Sequence, residues 1–242
     1  MIQFYAPDIE QSLTLPESDS GHCVRVLRMQ TGDRLFVVDG RGHRFECVLT
    51  EAHHKHARIE IVNVCDIPPV WKENITIAVA PTKNIDRMEW LVEKLVEVGV
   101  NRIVPIRCRF SERREIKPER LEKIAVAAMK QSLKAVLPVI EPMTPIGDFL
   151  PTVTDAQRFM GYCSDTVERR LLASSLRPGL DTTILIGPEG DFSPQEVELA
   201  FSCGFIPVTM GNNRLRTETA ALVACDTCHI VSQIAAADTT TV

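Results

Sequence analysis

The chain of 242 residues lacks several features that would assign its class at once. Its opening, MIQFYAPDIEQS, has no basic flank followed by an apolar stretch, so no secretory leader is expected. No apolar run approaches the roughly 20 residues of a membrane span, and the expected place of work is the cytoplasm, away from membranes. Positive charge is not in excess. Lys and Arg number 27 against 32 Asp and Glu, a net of -5, so any nucleic-acid contact must be a local patch. Neither G-x-x-x-x-G-K-[ST] nor G-x-S-x-G occurs, which removes the commonest phosphate-loop and hydrolase readings. Internal repeats and low-complexity tracts are missing, and no second His or Cys cluster has ligand spacing, so no metal centre is expected.

What is present reads as an ordinary soluble globular protein, 45% hydrophobic and 24% charged, long enough for one sizeable core or two modest ones. Without export, the eight cysteines are expected to be reduced and mostly buried. Residues 1–70 look β-rich: RLFVVDGRGHRFECVLTEA reads as two strands around a Gly-rich turn, and ARIEIVNV alternates with period two. Residues 65–74, CDIPPVWKEN, have the prolines and polarity of a linker. Beyond them the pattern becomes strand, helix, strand. Residues 75–80 and 102–106 read as strands, with a helix over 85–98 stopped by Gly99 between them. A second helix is expected over 118–135, further strands near Val139, Phe159, Ile184 and Val208, and a frayed end at ADTTTV. Such alternation argues for an α/β domain with a mainly parallel sheet and helices on both faces.

Three motifs attract attention and are set aside. Cys225-Asp226-Thr227-Cys228-His229 matches the C-x-x-C-H of c-type haem attachment. That chemistry needs export, and the motif lies in a helical stretch rich in Ala and Val, so two thiols on a core-facing helix are expected. His53, His54 and His56 read as a solvated turn, and DGRGHR, without a third glycine or a following helix, as a hairpin. The basic patch is different. Between Arg102 and Lys134, ten Lys and Arg (102, 107, 109, 113, 114, 117, 120, 123, 130, 134) face only four Glu. Glu119 can pair with Lys123, but Arg107 to Arg114 are largely uncompensated, which suits a nucleic-acid backbone better than a solvated helix face.

LIGPEGDFSPQE, residues 185–196, ends a buried apolar run in a loop with one carboxylate between two glycines. Ser193, Pro194 and Glu196 form the pattern of a capping box opening a helix. After that helix, FIPVTM gives another strand ending at Gly211, and NNRLRTETAALVA runs into the final helix. Two strands thus deliver two glycine loops at their carboxyl ends, where open α/β sheets bind ligands. Glu189, Arg214, Arg216 and Glu218 gather at the same loops.

Five segments in this order resemble the RsmE family of ribosomal RNA uridine N3-methyltransferases: His22 to Arg28 (HCVRVLR), residues 83–100 (KNIDRMEWLVEKLVEVGV), Gln131-Ser132 before Pro138, IGPEGDFS and LRTETA. The resemblance covers nearly the whole chain. It implies a small PUA-like RNA-binding β-barrel over residues 1–70 and a SPOUT methyltransferase domain over 71–242, mainly parallel and trefoil-knotted. It also implies S-adenosyl-L-methionine as cofactor, 16S ribosomal RNA of the small subunit as partner, and a homodimer. Cofactor contacts are then expected at Leu185, Ile186, Gly187, Pro188, Glu189, Gly190, Met210, Gly211, Leu215 and Thr217, with Glu189 fixing its loop. RNA contacts are expected at His22, Arg25, Arg28, Lys83, Arg87, Arg109, Arg113, Arg114 and Lys134. The chain departs from the family at Asp191, where relatives have a glycine, at Lys134, where they have an arginine, and at Asn213 and Arg214.

Methylating uracil N3 requires removing its proton, which leaves negative charge shared with the flanking carbonyl oxygens. Arg216 is the expected catalytic cation, since arginine stays charged and offers several donors. Glu218 is expected either to orient it or to accept the proton. The rivals are a SPOUT enzyme acting on another RNA, a non-catalytic RNA-binding assembly factor of the same fold, and, more distantly, a nicotinamide-dependent oxidoreductase without G-x-G-x-x-G.

Overall fold

The computed structural model describes residues 2–69, 71–163 and 167–240. They fall into two compact units, one of Met1–Val70 with Val126–Leu137, the other of Trp71–Ala125 with Pro138–Val242.

In the first unit, β1 (Gln3–Tyr5) leads through α1 (Ile9–Ser12), α2 (Glu17–Gly21) and a π-helical turn, His22–Val26, to β2 (Arg34–Val38), β3 (His43–Glu51) and β4 (Arg58–Asp66). The four strands pair in the order β1-β2-β3-β4, the first pair parallel and the others antiparallel. Along β3, Phe45, Cys47 and Leu49 are buried while the residues between them are not, the period-two pattern of a sheet with one covered face. They close a core with Phe4, Ile9, Leu15, Leu35, Val37 and Ile59. Each large apolar side chain so buried contributes roughly 1.5–3 kcal/mol. Leu13 and Leu15 hydrogen-bond to Ile59 and Ala57 across a Thr14–Arg58 bridge, adding a ribbon to the β4 edge and carrying the sheet toward the expected barrel. The turn between β2 and β3 is organised by Asp39, whose buried carboxylate accepts from the Arg41 and His43 backbone N–H and from His43 Nδ1 at 2.7 Å.

Sequence composition did not place Val126–Leu137 in this unit. Hydrogen bonds explain it. Lys130 Nζ reaches Asp19 at 2.7 Å, Gln3 Nε2 donates to the Lys134 carbonyl at 2.7 Å, and Gly42 and Leu137 exchange backbone bonds with Ala135 and Gly40.

The second unit runs β5 (Ile75–Val79), α3 (Ile85–Val98), β6 (Arg102–Arg107), then α4 (Pro118–Gln131), whose last residues belong to the first unit. It continues with β7 (Val139–Ile140), β8 (Thr144–Pro145), α5 (Ile146–Phe149), β9 (Gln157–Gly161), β10 (Arg170–Leu171), α6 (Leu172–Ser175), β11 (Thr182–Ile186), α7 (Pro194–Ser202), β12 (Ile206–Thr209) and α8 (Thr217–Thr240). The sheet has the order β10-β12-β9-β11-β5-β6-β7, with β8 beside β6, and every pairing is parallel. Central strands β5 and β11 are buried along their whole length, as expected where helices cover both faces. Asn84 caps α3 by accepting from Asp86 N–H, Gly99 ends it in a left-handed conformation, and Met88, Leu91, Val92 and Leu95 are buried.

Two helices differ from expectation. The helix expected to reach residue 135 ends at Gln131, because Leu133 takes φ +57 and Lys134 N–H bonds back to the Met129 carbonyl. That closure normally uses glycine, so the sequence carried no stop signal there. The final helix continues through Thr240, past where fraying was expected. Counter to the expectation about apolar runs, Thr217–Asp238 is long and apolar enough, by length and composition, to cross a membrane. It packs instead on α3, α6, β5 and β11, with Ala221, Ala224, Cys225, Cys228 and His229 buried. The C-x-x-C-H motif thus lies on the covered face of a helix, and burial pushes the Cys228 thiol up to about 12. All eight cysteines are free.

Candidate active site

Strands β12, β9 and β11 are neighbours, so their carboxyl ends deliver three loops to one edge of the sheet. Between them lies a cleft of about 1170 Å³. Small-molecule sites usually enclose about 300–1,000 Å³, so this one has room for more than a cofactor. Nine of the ten expected cofactor residues line it: Ile186, Gly187, Pro188, Glu189, Gly190, Met210, Gly211, Leu215 and Thr217. The tenth, Leu185, is fully buried in β11 and belongs to the core.

Packing shapes the first loop. A side-chain carbon added at Gly187 would sit 3.0 Å from the Phe192 ring, and one at Gly190 would sit 3.0 Å from Phe110 Cβ. These glycines let the loop fold against its own Phe192 and against Phe110 of the segment after β6, a reason beyond the ligand approach expected of them. Gly211 is the one whose missing side chain faces open space: its φ is +130 and nothing lies within 4 Å of an added carbon. The loop after β11 is braced by Asp191 rather than by Glu189, which is exposed and makes no described hydrogen bond. Asp191 adopts φ +61, a conformation that suits glycine and that aspartate tolerates better than most side chains. Its carboxylate accepts from Cys163 N–H at 3.1 Å and Phe192 N–H at 2.9 Å, joining the loop after β9 to the loop after β11. Thr217 Oγ1 donates to the Gly187 carbonyl at 3.2 Å and ties in the third loop. Beyond these, α7 opens with the expected capping box, and Glu196 also accepts from Arg109 N–H at 2.7 Å.

Four arginines (87, 169, 214, 216) and three carboxylates (Glu189, Asp191, Glu218) border the cleft. Arg216 is exposed and makes no side-chain hydrogen bond or ion pair among the described residues. Glu218 is buried and is held by Arg87 Nη1 at 3.3 Å, a partner 131 positions away that sequence reasoning assigned to RNA. Tyr162, Cys163, Val167 and Arg169 also line the cleft and were missed. The available signal was Gly161 closing a strand near Phe159, a third carboxyl end at the same sheet edge.

The expected RNA residues divide. In the first unit, His22 and Arg25 are exposed on the π-helical turn and Arg28 follows at φ +56. Lys134 is half-buried, and desolvation lowers its ammonium pKa. In the second unit, Lys83 pairs with Glu112 at 2.9 Å, a contact that raises its pKa. Arg113 is spent on the carbonyls of Thr82 and Lys83, at 3.1 and 2.6 Å. Arg107, Arg109 and Arg114 are exposed, with no described side-chain partner.

The chain is an RNA methyltransferase with a PUA domain, a small β unit preceding in sequence a parallel sheet whose carboxyl-edge loops line a cleft. The sequence profile of the RNA methyltransferase domain matches residues 69–229, and that of the RNA methyltransferase PUA domain matches 15–62. The chain belongs to the RsmE family. A probable rRNA-methyltransferase from Porphyromonas gingivalis is 50% identical, with a TM-score of 0.93 over 97% of this chain and 100% of that one. The ribosomal RNA small subunit methyltransferase E of Neisseria gonorrhoeae, solved bound to S-adenosyl methionine, is 27% identical, with a TM-score of 0.80 over 93% and 96%. The Synechocystis protein of the same name is 30% identical, over 89% of this chain and 72% of its own length.

Proposed function

We propose that this chain methylates N3 of a uridine in 16S ribosomal RNA of the small subunit, with S-adenosyl-L-methionine as methyl donor. The observation that carries the reading is the cleft itself, where three loops present bare backbone at Gly211 and apolar side chains at Ile186, Val208 and Leu215 beside four arginines. The open Gly211 backbone and this apolar lining fit a nucleoside-bearing cofactor, and the remaining volume fits one extruded nucleotide. When bound, the cofactor supplies an electrophilic methyl group on a sulfonium; the protein binds, orients and stabilises charge. Residues 186–190, 210–211, 215 and 217 hold the cofactor. Arg216, exposed and unpaired among the described residues, meets the negative charge that develops on the uracil when its N3 proton leaves. A donor acting only on that developing charge favours the transition state over the ground state.

Residues 1–70, with 126–137 in the same compact unit, act as a PUA-like RNA-binding domain, and the rest of 71–242 as the methyltransferase domain. His22, Arg25, Arg28, Lys83, Arg87 and Lys134 remain proposed near RNA, and Arg107, Arg109 and Arg114 are the cations best free to grip phosphates. The enzyme works in the cytoplasm, where its ribosomal substrate is, as a homodimer. Dimerisation is supported by large apolar side chains exposed on the packed helices α3 and α8: Trp90 at 41%, Ile230 at 47% and Ile234 at 58%. Small-subunit RNA from cells lacking the gene should lose methylation at one uridine, and the restored gene should return it. Unchanged RNA would turn the assignment to another RNA.

A further inference from the structure

We propose that Arg87 is a positioning residue of the reaction, holding Glu218 in the cleft so that its carboxylate takes the N3 proton of the target base; this rests on the methyltransferase reading above. Arg87 lies in the first turn of α3 and Glu218 in the first turn of α8, two helices that pack together. Both side chains line the cleft. The Glu218 side chain is 9% exposed and that of Arg87 42%, so the acid sits inside and the arginine reaches in from the wall. A carboxylate so far removed from water is unfavourable unless a cation or hydrogen bond compensates it. Arg87 Nη1 does so at Oε1, while Oε2 accepts no hydrogen bond among the described residues and is left for a substrate proton.

The two arginines therefore divide the work. Arg87 is committed to the base, and Arg216 is free for the uracil. In the step, the N3–H bond breaks and its proton goes to Glu218. The electron pair left on N3 forms the new bond to the methyl carbon, whose bond to sulfur breaks with its pair kept by sulfur. The proton then leaves Glu218 to water. The other charged groups around the cleft are Glu189, Asp191, Arg169, Arg214 and Arg216. Strands β5 and β11 and helix α6, also packed on α8, bring no titratable side chain.

The test uses the full chain with Arg87→Ala, Arg87→Lys, Arg87→Met and Glu218→Gln. Single-turnover methyl transfer is followed in each variant, and cofactor affinity is measured by calorimetry. In Arg87→Ala the carboxylate loses the contact that holds it, so the rate should fall at least about tenfold with cofactor affinity unchanged. Arg87→Lys should restore most of the rate. Glu218→Gln should lower the rate at least as far, and adding Arg87→Ala to it should cost little more, because the two side chains act as one unit. Should Arg87→Ala lose its fold, Arg87→Met keeps the aliphatic stem and the same expectation. An active parent with an unchanged rate in Arg87→Ala, or losses that simply multiply in the double variant, overturns this proposal alone. A parent that transfers no methyl group overturns the methyltransferase reading, and this proposal with it.

Discussion

The hydroxyl of Thr217 donates a 3.2 Å hydrogen bond to the carbonyl oxygen of Gly187, tying the first residue of α8 to the loop that leaves β11. The carbonyl is thereby fixed at the cleft, and with it the direction in which the neighbouring backbone groups point. Thr217→Val keeps the shape and removes the donor. Cofactor affinity should fall about five- to tenfold and stability by roughly 1 kcal/mol, the usual worth of one such bond. Calorimetry and thermal melting separate the two effects, and Thr217→Ser should restore both.

Glycines in the two loops should respond differently. An alanine at Gly187 places its methyl 3.0 Å from the Phe192 ring, so Gly187→Ala should destabilise the fold by about 1–3 kcal/mol as well as weaken cofactor binding. Gly211→Val meets open space but must hold φ +130, which a branched side chain resists. Its main effect should be a loss of cofactor affinity of tenfold or more. A melting curve that falls for Gly211→Val but not for Gly187→Ala would reverse these assignments.

Arginines of the patch should also separate. Changing Arg107, Arg109 and Arg114 together to Ala should weaken RNA binding and reduce the slope of log affinity against log salt by up to about three units, with cofactor affinity spared. Arg113→Ala should chiefly lower the melting temperature, because that guanidinium is occupied by the Thr82 and Lys83 carbonyls. Equal salt slopes in the triple variant and the parent would return those side chains to a solvated face.

These contrasts show what the sequence could carry. The span of α3 was legible because Asn84, the apolar stripe and Gly99 are local signals. The end of α4 was not, since Leu133 adopts a left-handed conformation in place of glycine. Glycine loops after β11 and β12 announced themselves through their composition, whereas the loop after β9 carries its cleft residues, Tyr162 and Arg169, without any motif. Glu218 was picked out beside Arg216, yet its partner proved to be Arg87, a relation set by helix packing that no spacing rule reports. Asp191 looked like a departure from the family pattern. Its left-handed backbone and its bond to Cys163 show how the loop keeps its shape without the glycine.

Arg216→Ala should retain the fold and much of the cofactor affinity, because Arg216 is exposed and unpaired among the described residues. Its single-turnover rate should fall by roughly 10²-fold or more, as when an oxyanion-type donor is removed. Arg216→Lys should recover only part of it, keeping charge but losing the planar fork. A lower melting temperature with an unchanged rate per folded molecule would instead make Arg216 a structural anchor of the α8 start.

The central claim is methyl transfer to uridine N3 of small-subunit ribosomal RNA at this cleft, and its most direct test is chemical. Purified chain is incubated with methyl-labelled S-adenosyl-L-methionine and small-subunit RNA, free and assembled, and the digested nucleosides are separated by mass spectrometry. The account predicts label in N3-methyluridine at a single position, reduced about tenfold or more by Gly211→Val at limiting cofactor. Label in a different nucleoside, or none from a chain shown to bind the cofactor, would contradict it.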